Sequence, residues 1–337
     1  MRKLIYIFLS LLTIGICGFC GSCSQADKTD GEEDSTAIKL GVLPTIESLP
    51  FYYADSLGMF DSLGIDVQLT TFAAAMDADT AFMNGGMDGI VSDLVKACVW
   101  NENGDSVHIA MCGDLRLWLV TAQSARLTRV ESMKEKIIGI TRHSALDFFV
   151  DKILESVKFK SIDINKPQIN NIRLRTQMVD QNQYDGAILP EPYASEAVAH
   201  GARRLIGTVG IKLDNSDLGE MKFEGTKLEG TKLKGTKLEG KILEGTKLEG
   251  MMCVLFSDSV YKARKQDIDK IAQVYDMAVE ALNADTTNNV LGFFPQHHIM
   301  RMPDTLFVYT PLRKSYQPSD SLMTLIKQWA KGRELIK

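Results

Sequence analysis

The sequence predicts a two-lobed α/β fold, each lobe a mainly parallel sheet flanked by helices. Three observations carry this. Apolar residues over 38–96 switch repeatedly between strand and helix spacing, the pattern of strand–helix–strand units with right-handed crossovers. A similar plan returns in the second half of the chain. At 337 residues the chain exceeds one average domain.

The first lobe opens with Ile38, Leu40 and Val42 alternating as a strand, which Pro44-Thr45 breaks. Leu49, Tyr52, Tyr53 and Leu57 then recur at helical spacing up to Gly58, a stop signal. Asp66 to Leu69 and Gly89 to Val91 read as further strands. In such sheets ligands sit beyond the carboxyl ends of the strands, where loops meet helix N-termini. The loops 44–48, 72–76 and 92–93 share that rim and form half of a site, with Thr45, Glu47, Ser48, Ser92 and Asp93 as candidates.

Val107 to Met111 and Leu115 to Thr121 are two more apolar stretches, separated by Cys112-Gly113-Asp114. Lys136 to Ile140 is a strand ending in Thr141-Arg142-His143-Ser144. Ser144 suits a helix N-cap, with Phe148, Phe149, Ile153 and Leu154 as the buried stripe. Asp88-Gly89-Ile90-Val91-Ser92-Asp93 and Asp185-Gly186-Ala187-Ile188-Leu189-Pro190-Glu191 share one plan: Asp-Gly, a short apolar run, then an acid at the strand end. Two equivalent rims facing each other make a cleft. Prolines on both sides stiffen Glu191, which either meets a ligand with Tyr193 or caps the next helix. Asp93 carries the same two readings.

Ligand charge stays open. Glu47, Asp93 and Glu191 favour a ligand rich in N–H groups, whereas Arg116, Arg142 and His143 offer a fork for an anion. Trp118 and Phe51 are either core aromatics or a wall of the cleft.

At the N-terminus, Arg2-Lys3 and the apolar run Leu4 to Ile16 form a leader too short to span a bilayer comfortably. Gly21-Ser22 before Cys23 are the small residues a cut site needs, which makes Cys23 the candidate for lipidation. Residues 24–37 are polar and acidic, as a tether should be. Formal charge is −5, and loss of Arg2 and Lys3 takes it to −7, against a nucleic-acid partner. Beyond the leader only Cys98, Cys112 and Cys253 remain. They read as buried structural thiols, with a Cys112–Cys253 bridge open if both lie at the lobe crossing.

Residues 221–250 are six five-residue units of the type Thr-Lys-Leu-Glu-Gly, a period that fits neither helix nor strand. They read as an expanded loop, irregular or a loose β-ribbon. Gln266 to Ala284 and Asp320 to Leu335 are amphipathic helices. Adjacent His297-His298 point in different directions with no further ligand at suitable spacing, so no metal site is expected.

The run PTIESLPFYYADSLGMFDSLGIDVQL followed by GGMDGIVSD, and later YDGAILPEPYAS, resembles ABC-transporter solute-binding proteins of the nitrate/sulfonate/taurine and thiamine-pyrimidine-precursor group. That resemblance covers most of 38–337 except 218–250 and implies a type II periplasmic-binding-protein fold. It implies an organisation of signal peptide 1–22, lipid-anchored linker 23–37, lobe 1 at 38–115 and 251–337, lobe 2 at 116–217, and an insertion at 218–250. It further implies hinges near 112–118 and 208–218, a small polar ligand held by residues of both rims (among them Arg116, His143, Ser144, Glu191 and Tyr193), and an ABC permease partner. The expected protein is an exported, membrane-anchored monomer with no cofactor and no catalytic residue. Alternatives are a pyrimidine-precursor biosynthetic enzyme on the same fold, or a surface interaction protein that uses the repeats.

Overall fold

A computed structural model describes residues 37–208, 211–213, 222–223, 246–247, 250–285, 289–294 and 309–337. The leader, Cys23, the acidic tether, His297-His298 and most of the repeat segment lie outside the described residues.

Lobe 1 begins with β1 (Ile38–Val42), whose Ile38, Leu40 and Val42 are buried while Lys39 is exposed. The chain continues through α1 (Leu49–Ser56), α2 (Met59–Ser62), β2 (Val67–Thr71), α3 (Ala75–Met83), β3 (Gly89–Asp93), α4 (Leu94–Asn103) and β4 (Val107–Gly113). Gly58 separates the first two helices at φ 63, a left-handed backbone that glycine adopts without steric cost. Lobe 2 comprises β5 (Leu117–Thr121), β6 (Ile138–Gly139), α5 (Ala145–Ser156), α6 (Ile172–Asp180), β7 (Gly186–Pro190), α7 (Tyr193–Ala199) and β8 (Arg203–Gly207). Short strands β9 (Ile211–Leu213), β10 (Lys222–Phe223) and β11 (Thr246–Lys247) form a small antiparallel sheet with β9 in the centre. So both ends of the repeat segment pair with β9. The chain returns to lobe 1 in β12 (Met252–Ser257), followed by α8 (Asp258–Ala284) and α9 (Asp320–Gly332).

The first sheet has the order β2-β1-β3-β12-β4 and the second β6-β7-β5-β8. Pairing is parallel for β1–β2, β1–β3 and β6–β7, and antiparallel wherever β12 or β5 takes part. The cause is connectivity: β5 and β12 are the strands by which the chain enters one lobe and re-enters the other, so no crossover helix sets their direction. Asp114 to Arg116 make the outgoing crossing, and Thr208 fastens the incoming end to it. Its hydroxyl accepts from Leu117 N at 3.0 Å and donates to Leu115 O at 2.9 Å.

The repeated Asp-Gly plan has a physical basis. Asp88 Oδ2 accepts from Lys39 N at 2.8 Å beside β1, and Asp185 Oδ2 accepts from Ile137 N at 2.9 Å beside β6. Each acid therefore registers the neighbouring strand. The glycines follow for lack of room: a Cβ on Gly89 would stand 2.8 Å from Leu255 O, and one on Gly186 2.6 Å from Val120 O.

Helix α8 carries the expected stripe, with Ile268, Ile271, Tyr275, Ala278, Val279 and Leu282 buried, and it is kinked at Arg264. α9 buries Leu322, Ile326, Trp329 and Ala330. Phe51 is fully buried in the core, its ring centroid 5.3 Å from that of Tyr275, so it is no cleft wall. Among the described residues, no helix is long and apolar enough to cross a membrane.

Candidate functional site

The carboxyl ends of β3 and β7 and the N-terminus of α5 converge between the lobes on a cavity of about 70 Å³. That is room for about five water molecules. Thr45, Glu47, Ser92, Asp93 and Ser144 all line it, so residues predicted on separate rims do meet. The lobes touch around it: Ile46 N donates to Glu191 O at 2.8 Å, and Ala74 bridges Asn171.

Asp93 links the two sides. It caps α4, its Oδ1 accepting from Val95 N at 3.0 Å and Lys96 N at 3.1 Å. The same oxygen accepts from Ala145 N at 3.0 Å, at the start of α5 in the other lobe. One carboxylate thus serves two helix N-termini, where negative charge is favoured. Burial still pushes its carboxyl up to about 6, with nearby Lys96 opposing. Asp93→Ala is expected to cost about 1–2 kcal/mol as a lost cap. It should also enlarge the radius of gyration measured by X-ray scattering, whereas Asp93→Asn, which keeps the acceptor, should not. An unchanged radius in the alanine variant would mean that Asp93 does not hold the lobes together.

Among the described residues Glu47 makes no ion pair. Its Oε1 accepts from Arg116 N at 3.0 Å, and burial pushes its carboxyl up to about 7 despite that bond and one from Thr45. Ser144 caps α5 by accepting from Leu146 N at 3.2 Å and donates to Thr141 O at 2.7 Å. The Ser92 hydroxyl is buried without a hydrogen-bond partner among the described residues.

The other five candidates, Ser48, Arg116, His143, Glu191 and Tyr193, do not line this cavity. Ser48 Oγ closes its own turn by accepting from Leu43 N at 3.3 Å. The Arg116 guanidinium turns to the carbonyls of Thr310 and Pro311 and to Asp114, so it fastens the segment 309–316 to the crossing. His143 is exposed, and its backbone N–H donates to Asp147 Oδ2 at 3.2 Å. Glu191 follows the capping reading: its Oε2 accepts from Ser195 N at 3.1 Å and its Oε1 pairs with Arg204 at 2.6 Å. Tyr193 is buried in the lobe 2 core. Trp118 carries the Arg204 guanidinium at 5.1 Å instead of lining the cleft, and Arg142 donates to Lys166 O.

Three charged residues of the wall were missed. Lys96 Nζ and Asp79 Oδ2 pair at 2.5 Å beside the cavity. Arg175 enters from α6, fully buried, with Nη1 donating to Thr141 Oγ1 at 3.0 Å and Ile169 O at 2.6 Å. Its Nε finds no partner among the described residues, and burial pulls the guanidinium down to about 10. A signal existed: Ile172, Arg175, Thr176 and Val179 stand at i, i+3, i+4 and i+7, which puts an arginine on the buried stripe.

No protein-family model matches the chain, and no curated protein matches it. Solved structures do. The alkanesulfonate-binding protein SsuA from Xanthomonas axonopodis pv. citri, bound to MOPS, superposes with a TM-score of 0.65 at 14% identity, covering 90% of this chain and 94% of that one. The periplasmic aliphatic sulphonate-binding protein SsuA from Escherichia coli gives 0.62 at 13%, covering 89% and 93%. The periplasmic nitrate-binding protein NrtA from Synechocystis PCC 6803 gives 0.62 at 10%, covering 85% and 74%. The chain has the fold of periplasmic solute-binding proteins.

Proposed function

We propose that the protein is an extracytoplasmic solute-binding lipoprotein of an ABC importer, anchored through Cys23, which captures a small polar ligand between its lobes for a permease. The observation that carries the reading is a pair of unsatisfied buried groups on the cavity wall, Ser92 Oγ from lobe 1 and Arg175 Nε from lobe 2. Buried polar groups are ordinarily hydrogen-bonded, and exceptions ask for a partner. A ligand that bridges both walls interacts with the closed form more than the open one, and that difference drives closure.

Charge refines the ligand. Arg175 asks for an acceptor, and Glu47 asks for a donor. The molecule that satisfies both carries an anionic or strongly accepting end and an N–H-bearing end, with few heavy atoms in between. The sulfonate and nitrate ligands of the structural neighbours supply the first half of that description.

The test is a thermal-shift and calorimetric screen of small aminosulfonates, sulfonates and aminopyrimidines. A hit at micromolar Kd should weaken by about 30-fold or more in Arg175→Met, since truncating one partner of a buried charged hydrogen bond costs about 2–5 kcal/mol. Full affinity in that variant would sink the site assignment.

A further inference from the structure

We infer that Cys112 and Cys253 form a reversible cross-strand disulfide that staples the outgoing strand of lobe 1 to the returning one. The two residues are direct partners in the antiparallel pair β4–β12. The backbone N–H and C=O of Cys112 are both committed to Tyr316, at 2.8 and 3.1 Å, on the side away from β12. In an antiparallel ladder both groups of one residue point the same way, so Cys112 and Cys253 occupy a non-hydrogen-bonded site. At such sites the Cα atoms are about 4.5 Å apart and the side chains, on one face, approach most closely. Disulfides accept Cα separations of about 4.4–6.8 Å, so the bond needs little backbone movement. Cys98, on α4, has no such partner in the sheet.

Both thiols are fully buried and free in this structure, and burial pushes the Cys112 thiol up to about 12. Closed strands therefore protect the dithiol, and the bond forms while the sheet assembles or opens. The co-reactant is a small-molecule or protein disulfide. One cysteine thiolate attacks a sulfur of that disulfide and releases a thiol. The second thiolate then attacks the mixed disulfide and expels the other half, so that the two protons given up by the cysteines end on the two released thiols. The ring so closed contains the whole of lobe 2 and the repeat segment. It ties the two strands between which the chain leaves lobe 1 and comes back.

Location adds a functional edge. Cys253 also faces Ser92 across β12–β3, so the bond would lie on the same sheet face as the unsatisfied hydroxyl of the cavity wall. The inference leans on the export reading only for its natural oxidant, and the experiment supplies its own.

Full-length protein is unfolded, refolded with oxidised and reduced glutathione, treated with N-ethylmaleimide, digested and mapped by mass spectrometry. The expected product is a linked peptide pair holding Cys112 and Cys253, two hydrogens lighter than the separate peptides, with Cys98 alkylated. Alkylation of both Cys112 and Cys253, or linkage of either to Cys98, overturns the inference. A second measurement avoids any folding defect of a variant: the Tm of the oxidised wild type should fall by about 5–10 °C on adding a phosphine reductant, as loop-closure entropy predicts. Cys253→Ala should show no such fall, and a wild type indifferent to reductant would also count against the bond.

Discussion

Glu47→Gln is expected to stabilise the folded protein by about 3 kcal/mol at pH 8 and by nothing at pH 4. Burial raises the Glu47 carboxyl from 4.5 to about 7, so the folded chain binds a proton that the unfolded chain has lost across that window. For an acid shifted upward, stability is fully present below the unfolded value and declines as pH rises through the folded one. Glutamine keeps the oxygen that accepts from Arg116 N and has no charge to bury. Urea unfolding of both proteins between pH 4 and 8 measures the difference. A variant no more stable than the wild type at pH 8 would show that Glu47 is not buried as an uncompensated acid. A residue retained at a cost to stability is what a binding site calls for.

The second large effect lies outside the cavity. Lys166 is buried between Asp147, at 2.5 Å, and Asp151, at 2.7 Å. Lys166→Met should cost about 3–5 kcal/mol at pH 7, because two buried carboxylates then lose their main counter-charge. Arg333 also pairs with both carboxylates, but at the longer distances of 3.5 and 3.7 Å, and so offsets only part of the loss. Adding Asp147→Asn should return part of the loss at pH 7. A single-variant penalty below about 1 kcal/mol would refute the pairing.

Much of the fold was legible because strand and helix periods are local. Ile38, Leu40 and Val42 announce β1, and the Asp-Gly pairs at 88–89 and 185–186 mark strands whose neighbours they register. The site was legible only by halves. Thr45, Glu47, Ser92, Asp93 and Ser144 stand at strand ends and helix caps, positions that topology alone brings to the rim. Arg116 and Tyr193 also lie near the crossing and the rim, yet a strap from residues 309–316 and a packed core claim their side chains. Those contacts join segments that are distant in sequence, and no local pattern encodes them. Lys96, Asp79 and Arg175 went unseen for the converse reason: charged residues within helices read as solvated until the rest of the fold packs around them.

Helix α9 has its apolar face in lobe 1, yet Trp329 Nε1 donates to Asp151 at 2.9 Å and Arg333 Nη1 to Ser161 at 2.7 Å, both in lobe 2. Asp151 lies nearly two turns along α5 from Ser144, whose end of the helix lines the cavity. α5 is therefore hung like a gate, latched at the mouth by Asp93 and moored at a second post by the C-terminal helix. Removing the Asp93 latch would leave the second mooring of α5, through Trp329 and Arg333, in place.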